Sequence, residues 1–282
     1  MRRLYLTIIT LVTIVCVIGG TLTHAIGFAV KASNVFGKEL FQEGSEGDMT
    51  RNYEGGGSIR KMELDVEVAN VTIKKGASFA VSFTGNKDLE PEVEWEDDEL
   101  KVEQKGGMKM TRSLGLAGGL NRKNEVMITV PEGETLDSME VEMDYGNCRI
   151  SDVTVKDSEI RLKAGNIEVN DAGFEKFEAD ADAGNIEMHG CKIAKGQVRA
   201  DMGNIKMTGI DGISDLVCDA DLGNIQAELA QPASELTIVL NTDLGNVHLN
   251  GEKRSGHQTV GDGKARFEAK ADLGNVEVKT GN

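Results

Sequence analysis

The amino-acid sequence predicts an all-β chain: a single-stack β-solenoid with coils of about 19–22 residues, Gly-Asn pairs at its corners and one N-terminal transmembrane helix ahead of it. Three observations lead there. Gly-Asn pairs recur at near-constant spacing. Apolar–polar alternation precedes each pair. The composition combines 34 glycines with three prolines and 4% aromatics, which suits short strands and tight turns better than the deep apolar pocket of an ordinary enzyme.

Arg2 and Arg3 precede residues 4–30, a run with no charged side chain except His24 when protonated. A helix crosses a bilayer with about 20 apolar residues, and the positive charge before the run orients it N-in, C-out. A cleaved signal peptide is the rival reading, with Thr23-His24-Ala25 as its small-residue site. The apolar stretch 26–30 beyond that site favours a retained anchor. Val15, where a lipoprotein signal would carry a small residue, argues against lipidation at Cys16. Both surviving readings place residues 31–282 outside the cytoplasm. Residues 1–30 are thus a cytoplasmic stub and membrane anchor. Residues 31–58, with EGSEGD at 43–48 and GGGS at 55–58, predict a flexible stalk. Residues 59–282 are the β domain.

The corner pairs are Gly146-Asn147, Gly165-Asn166, Gly184-Asn185, Gly203-Asn204, Gly223-Asn224, Gly245-Asn246 and Gly274-Asn275, spaced 19, 19, 19, 20, 22 and 29 residues apart. A period near 20 is too short for helical hairpins and fits one solenoid coil. Ahead of the pairs, Met139, Val141, Met143 and Tyr145 alternate with Glu140, Glu142 and Asp144, and Phe177, Ala179, Ala181 and Ala183 with Glu178, Asp180 and Asp182. Such a period of two is a strand with one buried face. A second, shorter alternation follows each pair, as in Ile186 and Met188 or Ile205 and Met207. Parity decides what the pair does. If Ala183 points inward, an unbroken pleat would send Ile186 outward, yet Ile186 opens the next apolar face. Gly-Asn therefore turns a corner, with glycine in a backbone conformation other residues resist and Asn tolerating it next best. Stacked at about 4.8 Å, the Asn side chains can form a hydrogen-bonded ladder. Upstream, Ala69 takes the glycine position in VEVANVTI (66–73), Gly85-Asn86 is followed by Lys87 instead of an apolar residue, and residues 125–133 form another strand and turn.

The stretch MITVPEG (127–133), followed by strands ending in Gly-Asn-Ile/Val, resembles the bacterial putative-adhesin family of unknown function over roughly residues 60–282. The resemblance implies a β-solenoid and an envelope location. Members of that family often carry an N-terminal membrane anchor, and some accompany envelope-stress operons of the Lia type. It transfers no catalytic residue.

The formal charge is −16, or −18 over residues 31–282 once Arg2 and Arg3 are set aside, which excludes nucleic acid as a partner by repulsion. His24, His189, His248 and His257 are scattered, and no cofactor is expected. Ser58 and Lys61 match an SxxK motif and residues 279–281 a KTG, but no Ser-Asp-Asn lies between them, so the match is coincidental. Cys148, Cys191 and Cys218 fall at different phases of the repeat and read as buried thiols, with one disulfide among them as the alternative. An outward acidic column that includes Asp182, Asp201, Asp221 and Asp243 is the only candidate metal site, for Ca²⁺, against a solvated acidic face that aids solubility. Lys105, Lys109, Arg112, Arg122 and Lys123 lie in a loop without acids, interleaved with Met and Leu. It is either a mobile insertion or a contact loop for anionic lipid, wall polymer or an acidic partner. The expectation is a non-catalytic, single-pass membrane protein whose extracytoplasmic domain binds or scaffolds, with the membrane and an envelope protein or wall polymer as partners. An envelope-stress accessory that contacts a membrane sensor is the alternative. An envelope hydrolase would need a catalytic cluster that is not legible.

Overall fold

The computed structural model describes residues 48–55, 57–106, 124–254 and 256–281. In chain order the strands begin β1 (Asp48–Glu54), β2 (Lys61–Val68), β3 (Asn70–Gly76), β4 (Ala80–Asn86), β5 (Glu92–Glu96), β6 (Glu99–Gln104) and β7 (Glu125–Pro131). The regular coils follow: β8 (Thr135–Tyr145), β9 (Cys148–Ser151), β10 (Thr154–Ala164), β11 (Ile167–Asn170), β12 (Gly173–Ala183), β13 (Ile186–His189), β14 (Lys192–Met202), β15 (Ile205–Ile210), β16 (Asp215–Leu222) and β17 (Ile225–Pro232). Last come β18 (Leu236–Leu244), β19 (Val247–Leu249), β20 (Glu252–Arg254), β21 (His257–Val260), β22 (Ala265–Leu273) and β23 (Val276–Gly281).

The nineteen-residue period has a simple anatomy. An eleven-residue strand such as β10, the Gly-Asn pair, a four-residue strand such as β11 and two further corner residues complete one coil. The second corner is turned by Asp152, Asp171 and Gly190, each with left-handed φ (57°, 50° and 64°). Val153, Ala172 and Cys191 follow it as one buried column. The long strands stack into an 11-stranded sheet and the short ones into a 12-stranded sheet, parallel in register within the regular coils. The apolar faces of both sheets form one continuous core. Large and small residues alternate along it. In the column Met139–Ser158–Phe177–Gly196–Leu216, the fully buried Phe177 stands between Ser158 and Gly196, so a ring wider than one coil finds room.

The stack does not follow chain order at its end. The sheets run β17-β23-β19 and β16-β22-β18, so the last coil, β22 with β23, is inserted between the two coils that precede it in sequence. Both edges there are closed by antiparallel strands, β21 on β18 and β20 on β19. At the other end β5 covers β6 and β1 covers β4. These antiparallel strands are then the edges of the two sheets, and at the C-terminal end they are only three and four residues long, which limits pairing with another chain.

Two expectations are corrected here. The stalk 31–58 is partly folded: Asp48–Glu54 is paired along its whole length with β4. Arg51 and the Tyr53 hydroxyl both reach Glu90 Oε1, at 2.6 and 3.0 Å. The alternating Met49, Arg51 and Tyr53 answer an edge that needs covering. The last apolar residue before each corner is also not core. Tyr145, Met202 and Leu244, each the last residue of its long strand, are 46%, 38% and 68% exposed. The predicted anchor, residues 1–30, lies outside the described residues. Among the described residues no helix is long and apolar enough to cross a membrane.

Candidate functional site: the asparagine ladder and its groove

Every predicted corner is a corner. β12 ends at Ala183, Gly184 and Asn185 carry the turn, and β13 begins at Ile186, as in the coils on either side. The reason for glycine differs from the expected one. Gly146, Gly165 and Gly184 have φ of 137°, 143° and 155°, whereas Gly203, Gly223, Gly245 and Gly274 are outside the left-handed region. All seven share a steric constraint instead. A Cβ on Gly203 would stand 1.8 Å from the carbonyl oxygen of Gly184, and the equivalent distances along the column run from 1.5 to 1.8 Å. No side chain of any conformation fits there. Ala69 heads the column; its neighbour, β6, ends at Gln104, level with Val66.

The Asn side chains do form a ladder, in the order of the stack: Asn70, Asn147, Asn166, Asn185, Asn204, Asn224, Asn275, Asn246. Each Oδ1 accepts the backbone N–H of the next Asn at 2.9–3.1 Å. It also accepts the next Nδ2–H at 3.0–3.4 Å. From Asn147 onward each side chain uses one amide hydrogen in the ladder, and the other has no partner among the described residues. Among the described residues nothing donates to the Oδ1 of Asn246, the last rung.

The two ends of the ladder meet different surroundings. Asn70 and Asn147 are buried, and Asn124 closes over them, its carbonyl accepting the Asn70 N–H at 2.8 Å and its side chain the Asn86 N–H at 3.0 Å. Asn204, Asn224, Asn275 and Asn246 are exposed. They line a groove of about 650 Å³ that crosses the short strands. Its other wall is the column two residues after each Asn: Glu187, Lys206, Gln226, Glu277 and His248. Lys206, Gln226 and His248 make no side-chain hydrogen bond or ion pair within the described residues. The sequence reading missed this wall, although the fourth residue of each Gly-Asn-Ile/Val-Xaa stretch marks it.

Much of the acidic column is paired with protein cations, though Asp182 and Asp243 make no ion pair among the described residues. Arg199 bridges Asp201 and Asp221 at 2.8 and 3.2 Å, Lys270 holds Asp272 at 2.7 Å, and Lys163 holds Asp144 at 2.6 Å. Arg199 and Lys270 come from a neighbouring column in which Arg161, Asp180, Arg199, Asp219 and Lys270 alternate in sign up the stack, whereas Lys163 stands in the acidic column itself. Burial raises the carboxyl pKa of Asp180 and of Asp219 above the ordinary range. Among the described residues no group of three or more His, Cys, Asp or Glu is placed to hold a metal ion, so Asp182, Asp201, Asp221 and Asp243 do not converge as a calcium site. Of the basic loop, Lys105 pairs with Glu103, while Lys109, Arg112, Arg122 and Lys123 lie outside the described residues. Ser58 precedes β2 near one end of one sheet and Lys279 lies within β23 near the far end of the other, so the SxxK and KTG residues do not meet. Lys279 instead pairs with Glu228 at 2.9 Å. Cys148, Cys191 and Cys218 are free and buried.

The Toastrack DUF4097 family matches residues 59–279. A putative adhesin from Bacteroides fragilis NCTC 9343 superposes with a TM-score of 0.54 at 13% identity, over 83% of this chain and 98% of that one. A putative adhesin from Parabacteroides distasonis ATCC 8503 gives 0.46 at 14% identity over 82% and 98%. A putative lipid binding protein from the same strain gives 0.44 at 15% over 85% and 98%. No curated protein matches the chain. The Bacteroides structure shares the fold, and at these identities the likeness extends no further.

Proposed function

The chain belongs to the Toastrack DUF4097 family, and from that premise we propose that it is a non-catalytic binding and scaffold protein of the bacterial cell envelope, held by a transmembrane helix within residues 1–30 with its β domain outside. The observation that carries the binding reading is the groove: neutral amides repeat along one side of it, and on the other stand Lys206, Gln226 and His248, whose polar atoms are unengaged. The stack presents this surface as a rigid, repeated face, which is what a binding scaffold requires. Two further facts favour binding over chemistry. Burial pushes the Cys148 thiol up to about 12 and Cys218 higher still, so neither is a ready nucleophile. The serine and lysine of the SxxK motif are remote from the lysine of KTG.

Anchoring rests on Arg2 and Arg3 ahead of the apolar run 4–30. Protease added to intact protoplasts is expected to digest residues 31–282 and spare the membrane-embedded stub; full protection of the domain overturns the topology. Crosslinked envelope is expected to yield the chain joined to a partner through residues near Lys206 and Gln226. Absence of any crosslink from a probe placed at Gln226 overturns the binding reading.

A further inference from the structure

We propose that the exposed end of the ladder binds an uncharged, extended glycan laid along the stack, one sugar to a coil. This rests on the binding reading above and names the class of ligand. Four observations lead to it. The first is pitch. The groove crosses parallel strands, so its chemistry repeats every ~4.8 Å, close to the advance of one hexose in an extended β-linked chain. The second is hydrogen-bonding capacity. Each exposed Asn keeps one unused amide hydrogen, and Gln226 adds a carbonyl and an amide. Sugar hydroxyls, which donate and accept, match such a mixed row.

The third observation is charge. Lys206 is offset by Glu187 and Glu277 in the same groove, and the chain carries −16. A polyanion would be repelled, whereas a neutral polymer is not. The fourth is the apolar margin. Across the glycine column from the ladder the chain carries Met202, Leu222, Leu273 and Leu244 in successive coils, and Leu244 is 68% exposed. The C–H faces of sugar rings pack on such side chains. An extended peptide fits less well, because it would seek a strand edge with unpaired backbone groups. The groove lies on a sheet face, and the edges at this end are formed by β20 and β21, short strands that do not line it.

The test is calorimetric titration of the full chain with β-1,4-linked hexamers of glucose and of N-acetylglucosamine, with polyglutamate as the anionic control. Saturable binding of at least one hexamer, weakening as the oligomer is shortened, is expected. Lys206→Ala combined with Gln226→Ala should weaken it on the order of tenfold, the effect of losing one or two hydrogen bonds, at unchanged Tm. Asn224→Ala should weaken binding, whereas Asn166→Ala, which breaks the same ladder away from the groove, should not. No binding of either hexamer, stronger binding of polyglutamate, or equal affinity in the double variant overturns the glycan assignment. If the chain ignores both hexamers but the probe at Gln226 still crosslinks to envelope, the ligand class is wrong and the binding reading stands. If both measurements are blank, both fall.

Discussion

Asn147 and Asn224 make the same two hydrogen bonds at the same point of their coils, yet Asn147 is sealed inside the protein and Asn224 faces solvent. The difference lies in what covers the corner. Asn124 flanks the first rung and the first two rungs are buried, whereas the last four are exposed among the described residues. One repeated motif thus has two uses. At the covered end the amides satisfy buried backbone groups, where an orphaned donor is costly. At the open end water can replace any lost bond, so the same amides are available to a ligand.

The sharpest way to break this comparison is to attack what both ends share. Gly146→Val and Gly274→Val each drive a side chain into a carbonyl of the adjacent coil, 1.8 and 1.7 Å from where the Cβ would stand. Each is expected to cost more than ~4 kcal/mol or to abolish folding, measured by urea denaturation. Gly203→Val belongs with them although its φ is unexceptional, whereas Ser151→Ala should stay within ~0.5 kcal/mol. A mild Gly274→Val would mean that the stack is looser at its open end.

Next in size is the contrast itself. Asn147→Ala removes the acceptor for the Asn166 backbone N–H in a largely covered setting and should cost about 2–3 kcal/mol. Asn224→Ala removes the acceptor for Asn275 in solvent and should cost about 1 kcal/mol or less. Equal losses would show that cover makes no difference to the rungs.

The smallest effects are electrostatic. Asp137 accepts from Arg60 and Lys156, which hold its pKa well below the carboxylate range. Its contribution is therefore present above the unfolded pKa and is lost as pH falls through the folded one. Asp180 is the reverse. Burial raises its folded pKa, and its Oδ1 has no hydrogen-bond partner. The folded state holds that proton more tightly, so stability falls as pH rises from the ordinary Asp value through the raised one. Asp137→Asn should lower Tm at neutral pH and Asp180→Asn should raise it slightly. Both differences should shrink as a melting series is taken down through the carboxylate range. A drop in neutral Tm for Asp180→Asn would mean that its attraction to Arg161 and Arg199 outweighs desolvation.

The corners and the inward faces were legible because alternation breaks at Gly-Asn in every coil, and a broken pleat has few remedies. The ladder followed from stacking alone. The second corner was not legible, since Asp152 and Asp171 reach left-handed φ as Asp but Gly190 as glycine, and no two-residue pattern recurs around them. Nor was the order of the last coils. The spacings of 22 and 29 mark an irregularity, but β18 and β22 carry the same alternation and either could lie next to β16. The groove wall at Lys206 and Gln226 escaped for a related reason. Its residues vary in type, and only their position relative to Asn unites them.

The inserted last coil bears on how this chain is made. Synthesis proceeds from the N-terminus, and β8 to β17 can stack in the order in which they emerge. β18 and β19 cannot take their final neighbours until residues 265–281 arrive between them and the finished stack. A product that stops short of residue 265 therefore lacks the strands that join β16 to β18 and β17 to β19, and has an open seam through both sheets. Residues 265–281 act as a latch, wedged between two coils that precede them in the chain.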